Sequence, residues 1–208
     1  MRRRRLAGIA SIVLLAVGGA AVALAATGGG SPAHGGGPRL RADAVWRPGS
    51  RPAPDFMLHD QHGRGASLAS FRGQPFLLVF LDSKCRTLCP IVGRQLGDAE
   101  RGLGATPARL VTISVDRADN PASVRAAARR WRWRGDWTWL MGNHARLSAA
   151  WKAYGISVRP AAADITHSLA VFLIDANGDE RAGFLPPLDV HAVVGDVRML
   201  QREAARNG

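Results

Sequence analysis

The sequence predicts an α/β fold with a mainly parallel central sheet, on three observations. The continuous apolar run 75–81 and the largely apolar stretch 110–115 read as strands covered on both faces. Stretches with helical spacing, several rich in Ala and Arg, alternate with the strands. Near the end, the apolar strand 170–175 turns at Asn177-Gly178, a strong hairpin signal, and returns through 180–185. Alternating strands and helices favour parallel pairing, and the closing hairpin adds antiparallel edge strands.

The elements follow in chain order. Arg2, Arg3, Arg4 and Arg5 form a basic segment, 1–5, before 6–26, which has no charged side chain and is long enough for a transmembrane helix. The arginines stay cytoplasmic by the positive-inside rule, so this span reads as a single-pass anchor with an extracytoplasmic remainder. A cleaved signal peptide competes with that reading, because Ala23-Leu24-Ala25 resembles a small-residue cleavage site. Residues 27–53 are rich in Gly and Pro and read as a tether. A small hairpin opens the globular part around the turn 60–63. The strand 75–81 follows, then a helix beginning near Cys89, with Pro90 in its first turn. Strand 110–115, helix 121–130, strand 137–140 and a helix over 146–154 closed by Gly155 come next. Strands 170–175 and 180–185 flank the Asn-Gly turn, and a helix over 189–205 ends the chain. This order fits a thioredoxin-like fold over residues 54–208.

Composition narrows the function. The chain has 208 residues, 47% of them hydrophobic and 21% charged, which supports a sizeable core and excludes wholesale disorder. Its two cysteines cannot staple a small secreted scaffold, nor fill a four-thiolate zinc site. The net charge of +12 is almost all arginine and forms no long run beyond the N-terminal block, so nucleic acid is not an expected partner. In Arg129-Arg130-Trp131-Arg132-Trp133-Arg134 the tryptophans read as packed, with arginines stacked against them. Gly102-x-Gly104 lacks the lysine and spacing of a phosphate loop, and there is no Ser-His-Asp motif. His59 and His62 read as exposed turn residues. His34 lies in the tether, and His144 and His191 carry no evident chemistry.

Both cysteines fall in Cys85-Arg86-Thr87-Leu88-Cys89-Pro90, at the C-terminal end of the first buried strand, the edge of an open sheet where ligand and redox sites gather. With helix starting near Cys85, the two would share one face, within reach of a disulfide or a shared metal. A helix N-terminus is also expected to lower a thiol pKa.

The sequence resembles the Sco/SenC family of copper-handling, thioredoxin-like proteins from about residue 54 to 198. The resemblance rests on Cys85-x-x-x-Cys89-Pro90 and on His167-Ser168 before the strand 171–175. It is supported by Pro54-Asp55-Phe56, Phe71-Arg72-Gly73, Ile113-Ser114-Val115-Asp116, Asn120-Pro121 and Tyr154-Gly155-Ile156. It implies that Cys85, Cys89 and His167 bind one copper ion, and that the protein is a monomeric, membrane-tethered chaperone for the copper centre of cytochrome c oxidase. Two thiolates and an imidazole suit Cu(I) and also hold Cu(II), and a three-ligand site is open for transfer. The alternative is a thiol-disulfide oxidoreductase in which Cys85 and Cys89 cycle between dithiol and disulfide. The chain departs from the family at Arg86 and Thr87, where Pro and an acidic residue are common. It departs again at Thr166, where an acidic residue usually precedes the His and Asp164 is displaced by two positions. Asp82-Ser83-Lys84 likewise replaces the usual aromatic and Thr-containing approach. Lys84 and Arg86 make the site more cationic, favouring thiolates while opposing an approaching copper ion.

Overall fold

The computed structural model describes residues 39–160 and 165–207. The proposed span 6–26 lies outside them. No helix among the described residues is long and apolar enough to cross a membrane.

The pivot of the fold is β4 (Phe76–Leu81), whose six side chains are all buried. Successive strand residues point to opposite faces, so its apolar run seeds two cores. Leu77, Val79 and Leu81 face α1 (Cys89–Leu103), α2 (Pro121–Arg130) and α4 (Val190–Asn207). Phe76, Leu78 and Phe80 face α3 (His144–Ala153) and the 3₁₀ turn Leu68–Phe71. On one side β4 pairs in parallel with β5 (Arg109–Ser114), and β5 with β6 (Trp137–Leu140). On the other side it pairs antiparallel with β9 (Val171–Ile174), followed by β10 (Glu180–Phe184) and β1 (Ala44–Val45). The small hairpin β2 (Leu58–His59) and β3 (Gly65–Ala66) matches the expected opening hairpin.

The sheet is therefore mixed, with order β1-β10-β9-β4-β5-β6, rather than mainly parallel. The reason is where α3 ends. Trp151 Nε1 donates to the Ser114 carbonyl (2.9 Å), and Tyr154 packs on Phe80 with ring centroids 5.4 Å apart. Both contacts lie at the C-terminal edge of the parallel strands. A hairpin of β7 (Val158–Pro160) and β8 (Ile165–His167) follows instead of a crossover helix, so the chain enters β9 from that same edge.

The expected tether is shorter than residues 27–53. β1 pairs with β10, and the Asp196 carboxylate accepts from the Arg41 and Ala42 amides at 2.9–3.0 Å, holding residues 41–45 against the domain. The tryptophans of the Arg-Trp segment are packed, as expected, but not under arginine. Trp131 and Trp133 are buried against each other and Trp139, while Arg132 and Arg134 are exposed. Among the described residues, guanidinium groups lie over Trp46 and Phe71 instead. The tryptophans fill each other's faces and leave the intervening arginines outside.

Candidate metal centre

β4 stops at Asp82, whose Oδ1 accepts from the Lys84 amide (2.7 Å) while its carbonyl accepts from the Cys85 amide (3.3 Å). This tight turn aims Cys85 back across the sheet edge. The helix begins later than the shared-face reading requires. Cys89 is the first residue of α1, with Pro90 beside it, and Cys85 lies in the preceding loop. α1 is seated from behind by the tryptophan cluster. Trp133 Nε1 donates to the Gly93 carbonyl (2.7 Å), and a Cβ on Gly93 would lie 2.4 Å from the Trp131 ring.

The antiparallel direction of β9 brings His167 to the same edge. It stands four residues before Val171, which pairs with Val79 near the end of β4. A parallel β9 would send it to the opposite end of the sheet. Cys89 Sγ and His167 Nε2 are 3.4 Å apart. The His167 Nδ1 contacts the Ser168 carbonyl at 3.0 Å, and a carbonyl only accepts, so Nδ1 carries the proton. Protonated at Nδ1 alone, the ring presents an Nε2 lone pair toward Cys89, the orientation a histidine ligand takes when its second nitrogen is fixed by a backbone acceptor.

The third predicted residue is less committed. Cys85 and Cys89 are both buried free thiols. Cys85 Sγ contacts Thr87 Oγ1 at 3.5 Å. Cys85 also lines an open cleft of about 330 Å³ with Ser83, Lys84, Arg86, Ser123 and Arg130, which is the cationic mouth that Lys84 and Arg86 foreshadow. Lys84 is matched there by Asp116 (2.7 Å), and Arg130 donates to the Ser83 carbonyl (2.6 Å).

Burial, reinforced by the neighbouring Cys85 thiol and the Asp82 carboxylate, pushes the Cys89 thiol well above its ordinary value. The expected lowering by the helix N-terminus is thus reversed at Cys89. A partial charge at a helix end is small beside the cost of ionising a sulfur in an apolar pocket.

His59 and His62 are exposed in and beside the opening hairpin, as expected. His144 packs edge-on against Trp151, and His191 is exposed at the start of α4. One part of the site escaped sequence reasoning. Beneath the cysteine loop, Ser83 Oγ and Ser114 Oγ contact the two oxygens of Asp119 at 2.5 and 2.8 Å, and Trp139 Nε1 donates to Ser114 (2.8 Å). Asp119 also lies with Asp82 and Asp116 in a cluster whose carboxylate oxygens are mutually within 4.8 Å. The only available signal was the density of Asp and Asn over 116–120.

Comparison with known proteins shows the family and the fold. The family model described as SCO1/SenC matches residues 47–201, well over half of the chain. A SCO1 protein homolog of Bacillus subtilis is 30% identical over 91 residues, 42% of this chain and 47% of that protein, so the match spans about half of the relative. The structure of Bradyrhizobium japonicum ScoI with copper bound superposes with a TM-score of 0.63 at 22% identity, covering 71% of this chain and 98% of that one. BsSco, described as a member of the Sco family of cytochrome c oxidase assembly proteins, gives 0.65 at 21% identity, covering 76% and 98%. At these identities the two structures establish the fold alone.

Proposed function

The chain belongs to the SCO1/SenC family, and from that premise we propose that it is a copper chaperone whose ligands are Cys85, Cys89 and His167. The observation that carries the reading is the 3.4 Å approach of His167 Nε2 to Cys89 Sγ, with Nδ1 bound to the Ser168 carbonyl. A buried thiol facing an imidazole lone pair is a soft donor pair suited to copper. Cys85 completes the set by turning away from Thr87, and its position in the open cleft gives a partner access to the cargo. ScoI of Bradyrhizobium japonicum has been seen with copper bound, and BsSco is placed among cytochrome c oxidase assembly proteins. By analogy the recipient here is the copper-binding subunit of that oxidase. Residues 6–26 hold the domain at the outer face of the membrane as a single-pass anchor.

Copper titration of the reduced full chain in detergent tests the ligand set. One copper per chain is expected, with affinity lowered at least about a hundredfold in each of Cys85→Ala, Cys89→Ala and His167→Ala. Undiminished binding in His167→Ala removes that residue. A second reading, thiol-disulfide exchange through Cys85 and Cys89, is favoured by two buried free thiols standing at the same strand-to-helix junction. It predicts reductase activity lost in either Cys variant and indifferent to His167.

A further inference from the structure

Among the described residues five large apolar side chains stand exposed, and three of them, Leu88 (55%), Leu185 (59%) and Ile91 (41%), belong to the segments that frame the Cys89–His167 edge. Leu88 immediately precedes Cys89. Ile91 and Gln95 follow on the same stripe of α1 by helical spacing. Gln95 fixes the neighbouring segment: its Nε2 donates to the Leu188 carbonyl (3.2 Å), and its Oε1 accepts from the Leu188 amide (3.1 Å). That clamp draws residues 185–188 alongside the first turns of α1. Leu185 directly follows Phe184, which pairs with Val171 at the end of β9 nearest His167. The three side chains therefore share one rim of the sheet edge.

At the α1 end of this rim the charge is positive. Arg86 and Arg94 are exposed and form no ion pair among the described residues. The carboxylates Asp43 and Asp189 lie at the other end, where Asp43 accepts from the Leu185 amide (2.8 Å) and Asp189 caps α4 through His191 and Ala192 (2.9 and 3.1 Å). Exposed apolar groups beside uncompensated guanidinium groups are what a recognition patch offers an acidic partner.

We propose that Leu88, Ile91 and Leu185, flanked by Arg86 and Arg94, are the docking face for a copper-accepting protein domain whose own site is rimmed by carboxylates and an apolar side chain. The inference rests on the copper-chaperone reading above and adds the chemistry of the recipient. Three apolar side chains make a small contact, which suits a donor that must release its partner after transfer. A membrane resting on the same rim would cover the Cys89–His167 edge that the acceptor must reach, so a protein surface is the occupant.

The test uses the full chain in nanodiscs, either of phosphatidylcholine or of equimolar phosphatidylcholine and phosphatidylglycerol. The metal-free copper-binding domain of the oxidase subunit serves as probe. Association, copper transfer and hydrogen exchange over residues 85–94 and 185–188 are measured. Adding the acceptor is expected to protect both segments. Arg94→Glu and the double variant Ile91→Ser/Leu185→Ser should weaken association about tenfold while retaining one copper per chain, and Arg94→Glu should flatten the salt dependence. Variants that associate as tightly as the unaltered chain overturn the proposal. So does protection that requires only phosphatidylglycerol, which assigns the face to lipid, or only a higher concentration of the chain, which assigns it to a second copy. A chain that docks the acceptor through this face but neither holds nor passes copper leaves the docking face standing and refutes the chaperone reading instead.

Discussion

Replacing Asp119 with Asn isolates the charge balance beneath the cysteine loop. Burial pushes the Asp119 carboxyl from 3.8 up to about 6, with repulsion from Asp82 and Asp116 adding to the rise and the Ser83 and Ser114 hydroxyls opposing it. In the unfolded chain the group titrates near 3.8. Between that value and about 6 the folded protein therefore holds a proton that the unfolded chain has released. Stability accordingly falls as pH climbs through this window, the reverse of a salt-bridged carboxylate. At about 1.4 kcal/mol per pH unit the window is worth about 3 kcal/mol, absent below the unfolded value and fully expressed above the folded one. Asn carries no charge at any of these pH values. It keeps one acceptor for the two serines, and losing the other costs about 1 kcal/mol independently of pH. Relative to the unaltered chain, Asp119→Asn should thus gain about 3 kcal/mol between about pH 4 and pH 7. Urea denaturation of the reduced, metal-free protein followed by circular dichroism measures this difference, from which the titrating groups not coupled to Asp119 cancel. A difference that stays constant within about 0.5 kcal/mol, or that moves the opposite way, would refute the reasoning.

Two further outcomes follow from the same packing. Burial keeps the Cys89 thiol protonated at neutral pH, so a copper bound to its thiolate displaces that proton. Cu(I) affinity, measured by competition with a chelator calibrated at each pH, should rise by at least about tenfold per unit between about pH 6 and pH 8, and a flat profile excludes Cys89 as a thiolate ligand. Gly93→Ala places a Cβ 2.4 Å from the ring of Trp131, which is held between Trp133 and Trp139 and has no room to yield. It should cost about 1–3 kcal/mol and lower Tm, and an unchanged Tm would show that the cluster is loose.

What was legible in the sequence divides by physical origin. β4 was readable because a strand covered on both faces must be apolar at every position, and 75–81 meets that condition. The turn at Asn177-Gly178 was readable because Gly178 adopts φ +93°, a conformation that local chemistry alone selects. β1 was not, since Ala44 and Val45 have no strand pattern of their own and owe their conformation to Gly183 and Ala182, far away in sequence. The raised Cys89 thiol was not legible either. Its helix-terminal position argued for a lowered value, and only the packed pocket, invisible in the sequence, showed that desolvation wins.

The direction of β9 is the sharpest instance, because the candidate site depends on it. Hydrophobic periodicity is identical for a parallel and an antiparallel strand, so 170–175 could be recognised as a strand without its sense being known. Strand–helix alternation favours parallel pairing, while the Asn-Gly turn favours an antiparallel hairpin at the sheet edge, and neither sets β9 beside β4. A parallel sense would separate His167 from Cys89 by the length of β4. The actual sense is decided by where α3 ends, and that is fixed by Trp151 reaching the Ser114 carbonyl and Tyr154 packing on Phe80. Two aromatic contacts outside the site thus determine that a histidine and a cysteine 78 residues apart can meet. The residues of the site were visible as a motif through family resemblance, whereas the reason they converge is tertiary.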